Sequence, residues 1–449
     1  MRPVRRQHDP TTAREACGTS VPVRRDLGKH PTRARRLYHR RVPTTLDLEA
    51  PPVAQPTSAA PAPSSAHRIE YVDGLRAVAV LAVVLHHVSS NVRVPVDVAR
   101  FLNEGAHGVD LFFVLSGFCL AFPTLAKLRR TGAATFDVAD FGAKRLVRIL
   151  PPFYLATLAI VALYTIPHLL RHEPPSVQVP AAWDLVASLL FIDGGVHLVN
   201  GAFWTLMVEF RWYFAFPLLL ALWVRSPRAF GAVGLASFVL YNYTRAHGLD
   251  LGTLPGFMLG IVAADLQLGG SATLNWAAHA KRWALPLAAA CAALGVAVES
   301  TAKIPGFDGS DVVFAYQPTI LGWQLAVFFL VVAAGALAPL RRALATKALV
   351  ATGIASYGIY LVHEPAIEFA VSRIHGVLAF PAGIAAGVGI GFAFWALADR
   401  PFMTGRLRRP LVDAIAPLLA RAGETLRLGR QMTLREASVE QAAPAEARA

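Results

Sequence analysis

From residue 68 onward the apolar residues come in long runs broken by short basic or Pro/Gly-containing stretches. This is neither the alternation of a half-buried strand nor the narrow apolar stripe of a soluble surface helix. Ten runs approach the roughly 20 residues that cross a bilayer, starting near residues 75, 106, 150, 203, 229, 252, 282, 317, 348 and 378. They predict an all-α fold, a polytopic integral membrane bundle of about ten transmembrane helices, because a lipid-embedded chain must satisfy its backbone polar groups within each helix. Several runs are short, so the number of spans is open by about one. The stretch Trp183 to Ile192 is too brief to cross and reads as a re-entrant or interfacial segment. Gly383, Gly387, Gly389 and Gly391 fall inside the last run, where they read as a surface for close helix packing instead of a nucleotide loop.

Polar residues inside these runs carry the remaining information, since an arginine at a helix centre costs about 2.5–3.5 kcal/mol even on the mildest insertion scale. Arg76 and His87 lie eleven residues apart in the first run, about three helical turns, so both project from one face about 16 Å apart along the axis. One helix therefore reaches a deep and a shallow site, an arrangement suited to an intramembrane reaction channel. Two readings stand for each: Arg76 is a snorkelling anchor or a site residue, and His87 is a helix-contact residue or a general base. Helical phase turns His86 about 80° away and favours His87 for the shared face. Glu209 and Tyr213, four apart, also share a face and read as acceptor-binding or as an interhelical hydrogen bond. Ser356, Tyr360 and His363 follow i, i+4, i+7 spacing and make a polar stripe toward the bundle interior, for substrate or for structure. Asp110, near the end of the second run, is placed to orient the histidine or to cap its helix, and Ser116 to bond its own backbone. Trp204 and Tyr154 fit an interfacial aromatic belt.

Composition places these helices in a membrane protein: 55% of the 449 residues are hydrophobic and 16% charged, with a mean hydropathy of +0.45, which excludes an ordinary soluble enzyme. With the N-terminus inside, the cytoplasmic loops hold Lys127, Arg129, Arg130, Lys144, Arg145, Arg148, Arg225, Arg228, Lys281, Arg282, Arg341, Arg342 and Lys347. The outer loops hold only Arg93, Arg100, Arg171, Arg245, Lys303 and Arg373. This bias predicts an even number of spans in the cytoplasmic (inner) membrane with both termini cytoplasmic.

Three segments follow. Residues 1–67 are rich in Arg and Pro and read as a disordered basic cytoplasmic tail without a signal peptide. Its two interpretations are binding of anionic lipid and a start placed too far upstream, and the second is preferred. Residues 68–403 form the transmembrane domain. Residues 404–449 form a second basic cytoplasmic tail, in which Leu411, Ile415, Leu418 and Leu419 can make an interfacial amphipathic helix on membrane lipids. The net charge of +14 is thereby explained by topology and phospholipid, and nucleic acid is not expected as a partner. Cys17, Cys119 and Cys291 have neither zinc spacing nor a disulfide framework, so no metal is expected. There is no GxSxG, P-loop or HExxH to support a serine hydrolase, nucleotidase or zinc protease.

Five segments in order, RIEYVDGLRAVAVLAVVLHHV, GVDLFFVLSGF, FGAKRLVRILPPFY, FWTLMVEFRWYFAFPLL and SYGIYLVHEP, resemble the membrane-bound acyltransferase family 3. The resemblance spans about residues 68 to 403 and implies about ten spans with cytoplasmic ends. It implies an enzyme, an acyltransferase for groups other than aminoacyl, that moves an acyl group from cytoplasmic acyl-CoA to a carbohydrate or glycolipid hydroxyl at the outer face. Acetyl-CoA is the default donor. Carried over by residue, the family's Arg-x10-His pattern falls on Arg76 and His87, and its Arg-x-x-Arg pattern on Arg145 and Arg148. The resemblance makes Arg145 and Arg148, with Arg76, the expected donor-binding residues, meeting phosphates through charge-assisted hydrogen bonds. It makes His87, Arg76, Asp110 and Glu209 the catalytic candidates, and Tyr213, Tyr360 and His363 the substrate-binding ones. One departure stands out: ADRPF places Asp399 where the family more often has glutamate. The expected mechanism is direct transfer, with His87 deprotonating the acceptor hydroxyl, and a two-step route through an acyl-enzyme stays open. The rival classes are a transporter using the Arg, His and Glu residues as a substrate or proton relay and a non-catalytic scaffold.

Overall fold

Backbone hydrogen bonds closed within each segment are what lipid demands, and the computed structural model of this chain is built almost wholly of helices. It describes residues 69–171, 186, 189–191, 200–241, 251–269, 277–302, 312–425 and 431–435. The basic segment 1–67, Cys17 and most of the Trp183 to Ile192 stretch lie outside the described residues.

The helices are α1 (Glu70–Asn91), α2 (Val96–Asn103), α3 (Gly108–Thr131), α4 (Val138–Arg171), α5 (Phe203–Arg225), α6 (Pro227–Val239), α7 (Leu254–Gln267), α8 (Ala277–Ala302), α9 (Val312–Ala336), α10 (Ala338–Leu344), α11 (Lys347–Val371), α12 (Ala379–Phe394), α13 (Arg400–Met403) and α14 (Gly405–Thr425). A 3-10 turn, Glu104–His107, leads into α3, and a π-helical turn, Trp395–Asp399, follows α12. Among the described residues seven helical stretches are long and apolar enough to cross a membrane, and α10 with α11, bent by 64° at their junction, make an eighth. The runs near residues 229 and 252 form helices of only 13 and 14 residues, about 20 Å each, short of the roughly 30 Å hydrocarbon core. Residues 133–137 and 431–435, which the hydrophobic pattern leaves without structure, pair as antiparallel strands β1 (Ala133–Asp137) and β2 (Gln431–Arg435).

The bundle has two apolar cores. One gathers α3, α5, α7 and α9 with the start of α1 around Leu75, Phe118, Phe216, Phe257 and Val331. The other gathers the rest of α1 with α4, α5 and α11 around Val84, Phe153, Phe203 and Ile359. Val109, Phe112 and Tyr213 pack against both, so the seam between the cores runs past α3 and α5. The apolar stripe of α14 is spent on protein: Leu411, Ile415 and Leu419 join Val412 against Ala143 and Val147 of α4. Only Leu418, 61% exposed, is left to face outward. The expected lipid-facing helix is thus largely corrected to a helix packed on α4.

Lipid gives helices no hydrophobic reason to pair, so contact depends on close packing at small residues. Gly383, Gly387 and Gly391 meet that expectation, facing Val88, Ile367 and Ile359 respectively, whereas Gly389 has open space beside it. A Cβ at Gly391 would lie 2.6 Å from the Cα of Ile359. Gly391→Leu should therefore cost about 1–3 kcal/mol by overpacking and lower the melting temperature of the detergent-solubilised protein, and Gly389→Leu should leave it unchanged.

Candidate active site

Two cavities adjoin at the seam. The first, of about 170 Å³, is lined by Arg76, Ser116, Arg145, Arg148, Glu209, Tyr213, Ser356 and Tyr357 among others. The second, of about 190 Å³, is lined by His86, His87, His107, Asp110, Trp204 and Tyr241 among others. Val109, Phe113, Thr205 and Tyr360 belong to both walls. At that junction the Tyr360 hydroxyl lies 2.6 Å from the Thr205 hydroxyl and donates to the Ala202 carbonyl at 3.1 Å.

The basic cavity's cations are not equivalent. Arg148 is ion-paired with Asp399, which is fully buried in the π-helical turn, and its guanidinium lies 4.7 Å from the Tyr357 ring centroid. Tyr357 is itself held by donating to the Ile149 carbonyl at 2.9 Å. Arg76 pairs with Asp73 at 3.2 Å and donates to Sγ of Cys119 at 3.3 Å. Arg145 has no ion pair with any described carboxylate. Its guanidinium lies 5.6 Å and 6.0 Å from the Phe141 and Tyr213 rings, and its buried Nε has no partner. It is the site's uncompensated cation among the described residues, open to an incoming anion. Opposite it, the Glu209 carboxylate accepts from both the Ser116 hydroxyl and the Tyr213 hydroxyl, tying α3 to α5.

In the second cavity the His87 ring lies 5.1 Å from His86 and 4.9 Å from His363, centroid to centroid. Nδ1 of His363 is 2.8 Å from the Tyr360 carbonyl. A carbonyl only accepts, so Nδ1 carries the hydrogen and the buried Nε2, which has no partner, is bare.

Arg76, Arg145, Arg148, Glu209, Tyr213 and Tyr360 are thus brought to one cavity, and His87, Asp110 and Tyr360 to the other. His363 stands behind His87 and lines neither cavity. Besides His363, expected at the substrate, and Ser116, which bonds Glu209 instead of its own backbone, two expectations are corrected. Asp110 does not serve His87: its Oδ2 meets Nδ1 of His107 at 2.8 Å, because residues three apart at the start of α3 share a face. His86 joins His87 in the same cavity wall in spite of its helical phase, because the cavity extends toward the 3-10 turn. Tyr154 donates to the Leu189 carbonyl at 2.7 Å, which ties it to the chain. His107, Tyr357 and Thr205 were not singled out from sequence. Only His107 had a local signal, its spacing to Asp110.

The pairing separates the two inner arginines by experiment. Arg148→Ala leaves the buried Asp399 carboxylate without its counter-charge, at a cost of about 3–5 kcal/mol, and should lower the melting temperature in detergent. Arg145→Ala strands no carboxylate and should leave the melting temperature unchanged.

Comparison with known proteins gives a family. A family model described as an acyltransferase domain matches residues 69–398. The O-acetyltransferase OatA of Staphylococcus aureus is 25% identical over 162 residues, 33% of this chain and 24% of the relative. YrhL of Bacillus subtilis is 30% identical over 185 residues, 39% and 27% of the two chains. The peptidoglycan O-acetyltransferase OatA of Listeria monocytogenes is 26% identical over 169 residues, 35% and 25%. The aligned part of this chain spans about a quarter of the length of these curated relatives. No solved structure matches it significantly. With the family match covering most of its length, the chain belongs to the acyltransferase family, and its long apolar helices make it an integral membrane protein.

Proposed function

We propose that this protein O-acetylates a carbohydrate hydroxyl, taking the acetyl group from acyl-CoA on the cytoplasmic side of the inner membrane and delivering it on the outer side. The observation that carries this reading is a cationic cavity adjoining an imidazole cavity across one shared wall. The bias of the basic loops supports a cytoplasmic position for the cationic end and both termini by the positive-inside rule. Each cavity is smaller than the roughly 300–1,000 Å³ of sites that enclose a drug-sized ligand. The basic one suits the thin acyl arm of the donor, with its nucleotide left at the mouth. Arg145, without a counter-charge among the described residues, meets the donor's phosphates, and the paired Arg148 and Arg76 shape the cavity beside it. Glu209 holds Ser116 and Tyr213 along the arm, and Tyr360 stands at the junction where the thioester meets the acceptor.

His87 takes the proton of the acceptor hydroxyl. The freed oxygen bonds to the thioester carbonyl carbon, the C–S bond breaks, and the thiolate leaves through the basic cavity. Trp204 and Tyr241 give the second cavity aromatic walls suited to a sugar face. The relatives' names support a peptidoglycan saccharide as acceptor.

Purified protein given acetyl-labelled acetyl-CoA and a muropeptide should release free thiol and move label to the saccharide. His87→Ala should lower that rate about 10²–10⁴-fold, and Arg145→Ala should raise the donor KM far more than it lowers kcat. Undiminished transfer by His87→Ala removes it as the base. A transporter would turn over no coenzyme A.

A further inference from the structure

A proton taken from a hydroxyl inside a lipid-embedded bundle must also leave it, because an imidazolium stranded among apolar helices prevents the next turnover. His87 is one ring in a series. His86 lies beside it on α1, His107 lines the same cavity as His86, and Asp110 accepts from Nδ1 of His107 at 2.8 Å. All four line the second cavity. The series spans α1, the 3-10 turn and the start of α3, and a glycine lets the turn meet α1. A Cβ at Gly105 would fall 2.3 Å from the Ala82 carbonyl oxygen and 3.3 Å from Cβ of His86, so the 3-10 turn carrying His107 lies flat on α1. His107 is further held by stacking on Trp323, centroids 4.5 Å apart and planes 13° from parallel.

The surrounding charges give the series a direction. His87 is faced by the imidazoles of His86 and His363, and no described carboxylate forms an ion pair with it. His107 sits between Asp110 and Glu104, whose Oε2 lies 3.9 Å from Nε2. Positive charge is therefore better met at His107 than at His87.

We propose that His86, His107 and Asp110 form a proton relay that carries the acceptor's proton from His87 to the exposed connection between α1 and α3. The proposal rests on the acyl-transfer reading above. As the acceptor O–H bond breaks, the O–C bond forms and the C–S bond breaks, the proton goes to His87. It passes to His86, whose buried Nδ1 has no hydrogen-bond partner among the described residues, and on to His107, directly or across one water. Asp110 and Glu104 hold the resulting imidazolium until water takes the proton, while the thiolate leaves at the opposite, basic end. His86, His107 and Asp110 act through His87 and do not touch the acyl carbon.

The assay above separates a relay from a packing role. His107→Ala should slow transfer about ten-fold or more and recover several-fold on addition of imidazole, which fits the vacated space. His107→Phe keeps a ring on Trp323 but carries no proton, so it should be as slow and gain nothing from imidazole. Should the alanine variant not fold, the phenylalanine variant carries the test, together with Asp110→Asn, whose rate should rise with buffer concentration while that of the unaltered protein does not. A His107→Phe protein as fast as the unaltered one, or a folded His107→Ala protein that imidazole does not restore, overturns the relay while acyl transfer stands. Absence of transfer by the unaltered protein overturns both.

Discussion

A guanidinium or carboxylate among apolar helices must find its partner within the protein, because hydrocarbon supplies neither counter-charge nor hydrogen bond. That constraint explains where the buried ion pairs between helices lie. Arg129 of α3 meets Asp265 of α7, 2% exposed on its side chain, joining two helices of the first core. Arg148 of α4 meets Asp399 in the π-helical turn after α12, where the turn adds a residue to the helical ladder. Such pairs add little net stability against well-packed apolar substitutes, yet breaking one by removing a single partner is costly. They therefore specify which helices adjoin.

The same accounting distinguishes groups available for chemistry from groups already committed. Arg148 and Arg76 have carboxylates of their own, and Arg145 has none among the described residues. Two arginines three apart on one helix face thus carry different electrostatics, and under the proposed function only the uncompensated one gains strongly by meeting the donor's anion. In the second cavity the distinction runs between His107, clasped by carboxylates, and His87, faced by imidazoles. Tyr360, with Thr205, stands where the two regimes meet.

The chain beyond the last long apolar helix is integrated with the rest. α14 packs on α4, the helix that carries Arg145 and Arg148, and β2 pairs with β1 just before α4 begins. With Met403 in the wall of the basic cavity, this segment braces the helix on which that cavity depends.

Hydropathy alone determines that the protein is a helical membrane bundle, because runs near bilayer length are legible one residue at a time. The pairing of Arg76 with His87, and of Glu209 with Tyr213, on single faces is equally local, a matter of helical period. The structure then places these groups in two adjoining cavities. What lies between helices was not legible. Asp399 stands 251 residues from Arg148, and no local pattern announces that pairing. The shortness of α6 and α7, the commitment of the α14 stripe to protein and the β1–β2 ladder also depend on surfaces supplied by distant segments. Asp110 shows the boundary most clearly: its three-residue spacing to His107 was written in the sequence. Only the packing of the 3-10 turn onto α1 decided that this pair, and not Asp110 with His87, would face the same cavity as the candidate base.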